Sequence, residues 1–331
     1  MSFVSTVIQR PTDSGFGWAS TASDVLCGHD LTGRRILVTG GYAGIGLATT
    51  RALSDAGATV LVPARRPEVA AAALEGIARV EPGSLDLADL DSVQAYAATL
   101  DGPLHGIVAN AGIMACPERR VGPDGWEAQL ATNHVGHFAL VNLLLPLLVD
   151  GSRVVCVTSL GHHYSPMRWE DPWFRTGYDK WQAYGQSKTA VMLFARQLDR
   201  LGADRGIRAF SVHPGAIITE LGKYLTADDL DDLLVRDENG NRLMPEFKSP
   251  EQGAATALWA LVGDVPADRG GAYLEDCDVA GWAAEGQTDS GARDYALADA
   301  EAERLWTWTA ELTGVDFPPA VTTTGDGSGP R

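Results

Sequence analysis

Cysteine is scarce in this 331-residue chain, and the four present (Cys27, Cys116, Cys156 and Cys277) lie far apart with no C-x-x-C pair. Neither a disulfide framework nor a zinc site is indicated. Cys156 lies in an apolar run and is expected in the core. Long apolar stretches are also missing: no window approaches the roughly 20 residues that cross a bilayer. The start, Met1 to Ser23, lacks the charged-then-apolar order of a signal peptide. Basic residues are outnumbered, 26 Lys and Arg against 43 Asp and Glu, for a formal charge of −17. That balance argues against nucleic acid or an anionic membrane surface as partner. A soluble, cytoplasmic protein acting on a small molecule is the expectation.

What is present is regular. With 45% hydrophobic residues the chain can bury a large core. Short β-branched runs recur at Arg35–Thr39, Thr59–Val62, Gly106–Ala109, Arg153–Val157 and Arg208–Val212, with weaker candidates at Ala78–Val80 and Gly271–Leu274. Helix-like segments separate them, which predicts a parallel sheet covered on both faces. There is no internal repeat, and from Ala320 the composition turns to Thr, Gly, Ser and Pro, as in a flexible tail.

The first run leads into Thr39-Gly40-Gly41-Tyr42-Ala43-Gly44-Ile45-Gly46 and then a helical pattern. Strand, glycine turn and helix start form a phosphate site, because glycines admit the pyrophosphate to the backbone and the helix N–H groups attract it. The expected fold class is therefore α/β: a single-domain, Rossmann-type, doubly wound parallel sheet of about seven strands with helices on both faces. That domain would span residues 33–319, after an extension at 1–32 and before a tail at 320–331. Where an NAD site carries an acid about 20 residues past the glycines, this chain has Arg65 and Arg66. Two guanidiniums suit a 2′-phosphate, so NADP(H) is expected ahead of NAD(H).

A second motif carries the chemistry. Tyr184 and Lys188 are four apart on a proline-free helical run and so share a face. A free tyrosine titrates near ~10, and lowering it by about three units takes roughly 4 kcal/mol. One positive charge at about 4 Å in a partly buried site supplies that much. A tyrosine made acidic in this way is a proton donor and acceptor.

Taken together, the Thr39–Gly46 turn, Ala109-Asn110-Ala111-Gly112, Asn133, Ser159, Tyr184 with Lys188, and Pro214-Gly215 resemble the successive motifs of the short-chain dehydrogenase/reductases. Asn133–Phe138, Ser159–His163 and the 25-residue separation of Ser159 from Tyr184 resemble the branch containing retinol-dehydrogenase-like and WW-domain-oxidoreductase-like enzymes. The resemblance implies a catalytic set of Asn133, Ser159, Tyr184 and Lys188. Tyr184 would be the general acid/base, Lys188 would also hold the nicotinamide ribose, Ser159 would bond the substrate oxygen, and Asn133 would position a water. It further implies a cofactor groove of Gly40, Tyr42, Gly44, Ile45, Gly46, Asp86, Leu87, Asn110, Ala111 and Gly112. Asp86 would face the adenine, and Pro214, Gly215, Ile217 and Thr219 the nicotinamide. A substrate lid is implied at about 217–248.

Leu160, His162, Trp173, Tyr224 and Leu225 are the substrate-side candidates, with Leu230, Leu233 and Leu234 as further lid residues. Trp169, Trp173, Phe174 and Trp181 either wall the pocket or pack the insertion down. His134 and His137 read as helix packing or surface residues, not metal ligands, and the acidic run Asp228–Asp232 as a solvated helix start. The reaction expected is the interconversion of a moderately hydrophobic secondary alcohol and its carbonyl compound. Rivals are an epimerase- or dehydratase-like enzyme and a non-catalytic NADP-sensing scaffold. A homodimer or homotetramer is possible, unless the apolar run after Lys188 is buried within the chain.

Overall fold

The computed structural model describes residues 3–119, 125–232, 235–236, 242–243 and 247–318. Eight strands form the main sheet: β1 Arg35–Val38, β2 Thr59–Ala64, β3 Val80–Ser84, β4 Leu104–Ala109, β5 Leu148–Val157, β6 Arg208–His213, β7 Tyr273–Glu275 and β8 Asp278–Val279. Their order across the sheet is β8-β7-β6-β5-β4-β1-β2-β3. All neighbours pair in parallel except β7 and β8. Those two form a hairpin through Asp276 and Cys277, both at positive φ (50° and 60°), as a tight hairpin turn demands.

The count is one more than the seven expected, because the two-residue β8 carries no apolar run of its own. The weak run at Ala78–Val80 is only the lead-in to β3, which continues as Glu81-Pro82-Gly83-Ser84. An edge strand has no outer partner and one wet side, so proline and charge are tolerated there and the sequence signal is faint.

Helices cover both faces. α1 Ala22–Leu26, α2 Gly44–Asp55 and α7 Pro250–Val262 bury one apolar layer with Val38, Val60, Val108 and Phe210. α4 Leu90–Ala98, α5 Gly136–Leu144 and α6 Lys180–Gly202 cover the other with Leu37, Ile107 and Val154, while α3 Pro67–Ala73 follows β2. The strand order reverses between β1 and β4, so the loops leaving their C-terminal ends part and open a crevice.

α6 is buried on nearly all sides from Ala183 to Asp199, because α8 Asp299–Thr313 lies along its outer surface. Trp306 of α8 packs on Phe138 at 4.9 Å and Phe194 at 5.8 Å between ring centroids. The apolar run after Lys188 is therefore buried within the chain. Residues before β1 are integrated as well. Gln9 is buried, donates to the carbonyls of Tyr273 and Ala280, and accepts from the Tyr273 N–H. Thr6 donates to Asp299, which also pairs with Arg196 at 2.9 Å.

Because α8 clamps the helix that carries Tyr184 and Lys188, Trp306→Ala should lower the unfolding free energy by about 3–5 kcal/mol. Urea titration checks this, and a loss under 1 kcal/mol would show that α8 contributes little to holding α6.

Candidate active site

The glycine turn is a cradle that side chains would fill. Gly40 and Gly44 have φ of 65° and 51°, which disfavour other residues. A Cβ on Gly46 would lie 2.3 Å from the Gly40 carbonyl oxygen and 2.6 Å from Asn110 Nδ2. α2 starts at Gly44, and Ala43 before it offers no side-chain cap, so its leading N–H groups face the turn for a phosphate. Tyr42 and Ile45 are half-buried beside it, Ile45 next to Ile217 across Gly253. Arg65 and Arg66 stand exposed where β2 ends and α3 begins, without an ion pair among the described residues. Asp86 accepts from the Ala88 N–H at 3.0 Å. The carbonyl of buried Leu87 comes so close to α5 that a Cβ on Gly136 would sit 2.0 Å from it. These residues fit a dinucleotide.

A hydrogen-bonded relay ties the two sides of the crevice. Thr39 Oγ1 accepts from the N–H groups of Asn110 and Ala111, both at 3.0 Å, and Asn110 Nδ2 donates back to the Thr39 carbonyl. The same hydroxyl meets His137 Nε2 at 2.8 Å, and His137 Nδ1 reaches the Asn133 carbonyl at 3.0 Å. With Nδ1 donating to that carbonyl, Nε2 must accept from Thr39; burial pushes His137 down to about 4 and keeps it neutral. Asn133 lies in a π turn, Ala131–Val135, that leads into α5. Its amide accepts from the Ile113 N–H at 2.9 Å and donates to the Ile113 carbonyl and to Ser187 Oγ. The side chain is thus engaged with protein partners, locking Gly112–Ile113 onto α6. A Cβ on Gly112 would sit 3.6 Å from Lys188 Nζ.

Tyr184 and Lys188 stand one turn apart on α6 as expected, and both are buried. Ser159 begins the 3-10 turn Leu160–Tyr164, accepting from the Gly161 N–H, and also hydrogen-bonds Tyr184. The electrostatics reverse the sequence expectation. Burial pushes the Tyr184 phenol up to about 12; the Ser159 hydrogen bond opposes this, and the Tyr164 phenol adds to it. Lys188 is engaged elsewhere: Nζ donates to the Val157 carbonyl at 3.0 Å and lies 5.6 Å from the Tyr184 ring centroid. Burial lowers Lys188 itself to about 8. Desolvation of both groups outweighs their mutual attraction at that separation. Cys156 is in the core, its thiol raised to about 12.

The substrate-side candidates divide. Leu160 is half-buried after Ser159. His162 is fully buried: Nδ1 donates to the Ser159 carbonyl at 2.8 Å, and Nε2 accepts from the Arg293 N–H. Burial lowers it to about 3, so it is a neutral structural residue, not a pocket wall. Trp173 packs the insertion down, stacked on Trp126 at 5.5 Å and tilted on Trp308 at 5.4 Å. Tyr224 and Leu225 are half-buried in the segment after Thr219. Leu233 and Leu234 lie outside the described residues, as does the tail. His134 is buried against Thr309, Phe138 and Phe194.

Thr219 sits over the glycine turn, 3.1 Å from where a Cβ on Gly44 would be. Gly215, at φ 95°, is packed by the methylenes of Lys248, whose N–H donates to Ala216 and whose Nζ pairs with Asp276 at 2.5 Å. The acidic run is not uniformly solvated, because Asp229 is buried and pairs with Lys180 at 2.5 Å. Sequence reasoning gave no such role to Thr39, His137, Gly136 and Lys248, each of which has a partner remote in the chain: Asn110, Thr39, Leu87 and Asp276 respectively. Among the described residues no His, Cys, Asp and Glu cluster could hold a metal, and no helix is long and apolar enough to cross a membrane.

The short chain dehydrogenase family matches this chain over residues 34–230. The chain is 43% identical over 292 residues to a "Probable oxidoreductase" of Streptomyces lividans, covering 85% of this chain and 98% of that one. It is 33% identical over 300 residues to retinol dehydrogenase 12 of Mus musculus, covering 87% and 88%. A short chain dehydrogenase of Burkholderia cenocepacia, solved in complex with NADP, superposes with a TM-score of 0.57 at 26% identity, over 75% of this chain and 98% of that one. The protein belongs to the short-chain dehydrogenase family, in its retinol-dehydrogenase-like branch, and the fold and crevice are those of an oxidoreductase using a nicotinamide cofactor.

The lowered Lys188 has a stability consequence. Between pH 8 and 10.5 the unfolded chain holds a proton that the native state has lost, so stability rises with pH across that window. Below about 8 the full penalty is present, about 3 kcal/mol at ~1.4 kcal/mol per unit. Lys188→Met should therefore be more stable than the parent at pH 7 by up to about 3 kcal/mol, with the margin shrinking towards pH 10.5. Denaturant titrations at both pH values check this, and a variant weaker than the parent at pH 7 would contradict it.

Proposed function

We propose that this protein is an NADP(H)-dependent reductase and dehydrogenase that interconverts a moderately hydrophobic secondary alcohol and its carbonyl compound. Tyr184 is its general acid and base. The observation that carries this reading is a buried phenol, hydrogen-bonded to Ser159 and one turn from a buried lysine, on the helix packed beside the switch point where the glycine turn opens. Such a residue set has little purpose in a protein that only binds a nucleotide.

NADPH, when bound, supplies the hydride, and NADP+ accepts it in the reverse direction. Tyr184, protonated at neutral pH because it is buried, donates its proton to the carbonyl oxygen as negative charge grows there. Ser159 holds that oxygen and eases the charge left on Tyr184, since its hydrogen bond favours the phenolate. Lys188 is largely charged at neutral pH and holds the ribose from the Val157 side. Asn133 is a positioning residue, acting through Ile113 and Ser187. Arg65 and Arg66 take the 2′-phosphate, and their exposure without a carboxylate partner among the described residues leaves both guanidiniums available. The related Burkholderia protein, solved with NADP, supports the same cofactor.

Two experiments test the reading. Following NADPH absorbance over a panel of carbonyl compounds, Tyr184→Phe should lose roughly 10²–10⁴ in kcat while still binding NADPH. Unchanged turnover would remove Tyr184 from the mechanism. The double variant Arg65→Ala, Arg66→Ala should raise the Kd for NADPH at least about 10-fold, the loss of a charge-assisted contact, and leave NADH nearly unaffected. Equal losses for the two cofactors would defeat the 2′-phosphate assignment.

A further inference from the structure

Tyr164 is the last residue of the 3-10 turn that Ser159 opens. That turn lies directly on the start of α6: a Cβ on Gly161 would be 2.6 Å from Tyr184 Cε1, and one on Gly185 would be 2.8 Å from Tyr164 Cβ. Tyr164 is therefore held beside the reacting phenol by two glycines that admit no side chain. Tyr164 is 48% exposed, whereas His162 in the same turn is fully buried. Trp181, three residues before Tyr184 on α6, meets Tyr164 edge to face at 5.8 Å and 68°. The other insertion tryptophans are committed elsewhere, Trp173 stacked on Trp126 and Trp169 donating to Glu301 at 2.6 Å. Lys180 lies 5.7 Å from the Trp181 ring, but its charge is matched by buried Asp229. What remains next to Tyr184 is an uncharged aromatic corner of two rings in edge contact, with Tyr164 open to solvent. The Tyr164 phenol is also near enough to Tyr184 to oppose its ionisation.

We infer that Tyr164 and Trp181 form an aryl-binding subsite beside Tyr184, so that the preferred substrate carries an aromatic ring adjacent to its carbonyl. This rests on the proposed reductase reading and names the substrate class for it. A saturated ring of the same size gains burial in such a corner, whereas a flat ring gains offset or edge contact with both aromatics as well, worth roughly 3- to 10-fold in binding.

The test compares acetophenone with cyclohexyl methyl ketone, which share a carbon skeleton and differ only in ring unsaturation. The parent should show about 5-fold higher kcat/KM for acetophenone, mainly through KM. Tyr164→Phe should keep that preference and Tyr164→Ala should bring the two ketones close to parity. Equal values in the parent, or a preference that survives in Tyr164→Ala, would overturn the subsite. Should Tyr164→Ala fail to fold, Trp181→Ala reads the same contact. Calorimetric binding of both ketones to the protein with NADP+ separates this inference from the reaction itself. Aryl-selective binding without turnover would uphold the subsite and refute the reductase reading, whereas unselective or absent binding would overturn the subsite.

Discussion

Removing a tyrosine and a lysine from water on successive turns of α6 is the constraint that the rest of this structure accommodates. Neither group is comfortable: the phenol is driven towards its neutral form and the ammonium loses part of its preference for charge. The fold sustains this by surrounding α6 with apolar partners, the sheet on one side and α8 on the other. It also gives the few polar atoms there fixed partners. Lys188 Nζ has the Val157 carbonyl, Thr158 Oγ1 bonds the Lys188 carbonyl, and Ser187 holds Asn133. A dry site of this kind strengthens the few interactions that reach a reacting oxygen, and this is where electrostatic catalysis gains most.

The second requirement is that the glycine turn and the Tyr184–Lys188 pair keep a fixed separation. Thr39, His137 and Asn133 meet it through short hydrogen bonds that run from the glycine turn to the π turn. A neutral imidazole suits this relay because it accepts at one nitrogen and donates at the other, and burial keeps it neutral across the physiological range. Close approach of the backbone does the rest. Gly46 brings α2 against the turn and Gly136 brings α5 against Leu87, at separations that no side chain would allow.

Much of this was legible in the sequence where the signal is local. Five β-branched runs became β1, β2, β4, β5 and β6, and the glycines and the Tyr184–Lys188 spacing placed the two ends of the site. The edge strands β3 and β8 were faint because one-sided burial removes the apolar run. Other features depend on partners remote in the chain. His162 reads as a pocket candidate until Arg293 and Ser159 occupy its nitrogens, Trp173 until Trp126 and Trp308 enclose it, and Asp229 as solvated until Lys180 reaches it. The direction of the Tyr184 shift was misjudged for a related reason. Spacing gives the distance between two charges along a helix but not the dielectric around them, and here burial decides the sign.

The central claim is that burial, not the neighbouring ammonium, sets the protonation of this pair. Carbon-13 labelling of the Tyr184 ring and the Lys188 side chain, with variants for assignment, would follow both groups by NMR as pH is raised. The account predicts that Lys188 titrates near 8 while Tyr184 stays protonated until well above its ordinary value. A phenolate appearing near neutral pH beside a lysine still charged at pH 10 would contradict it.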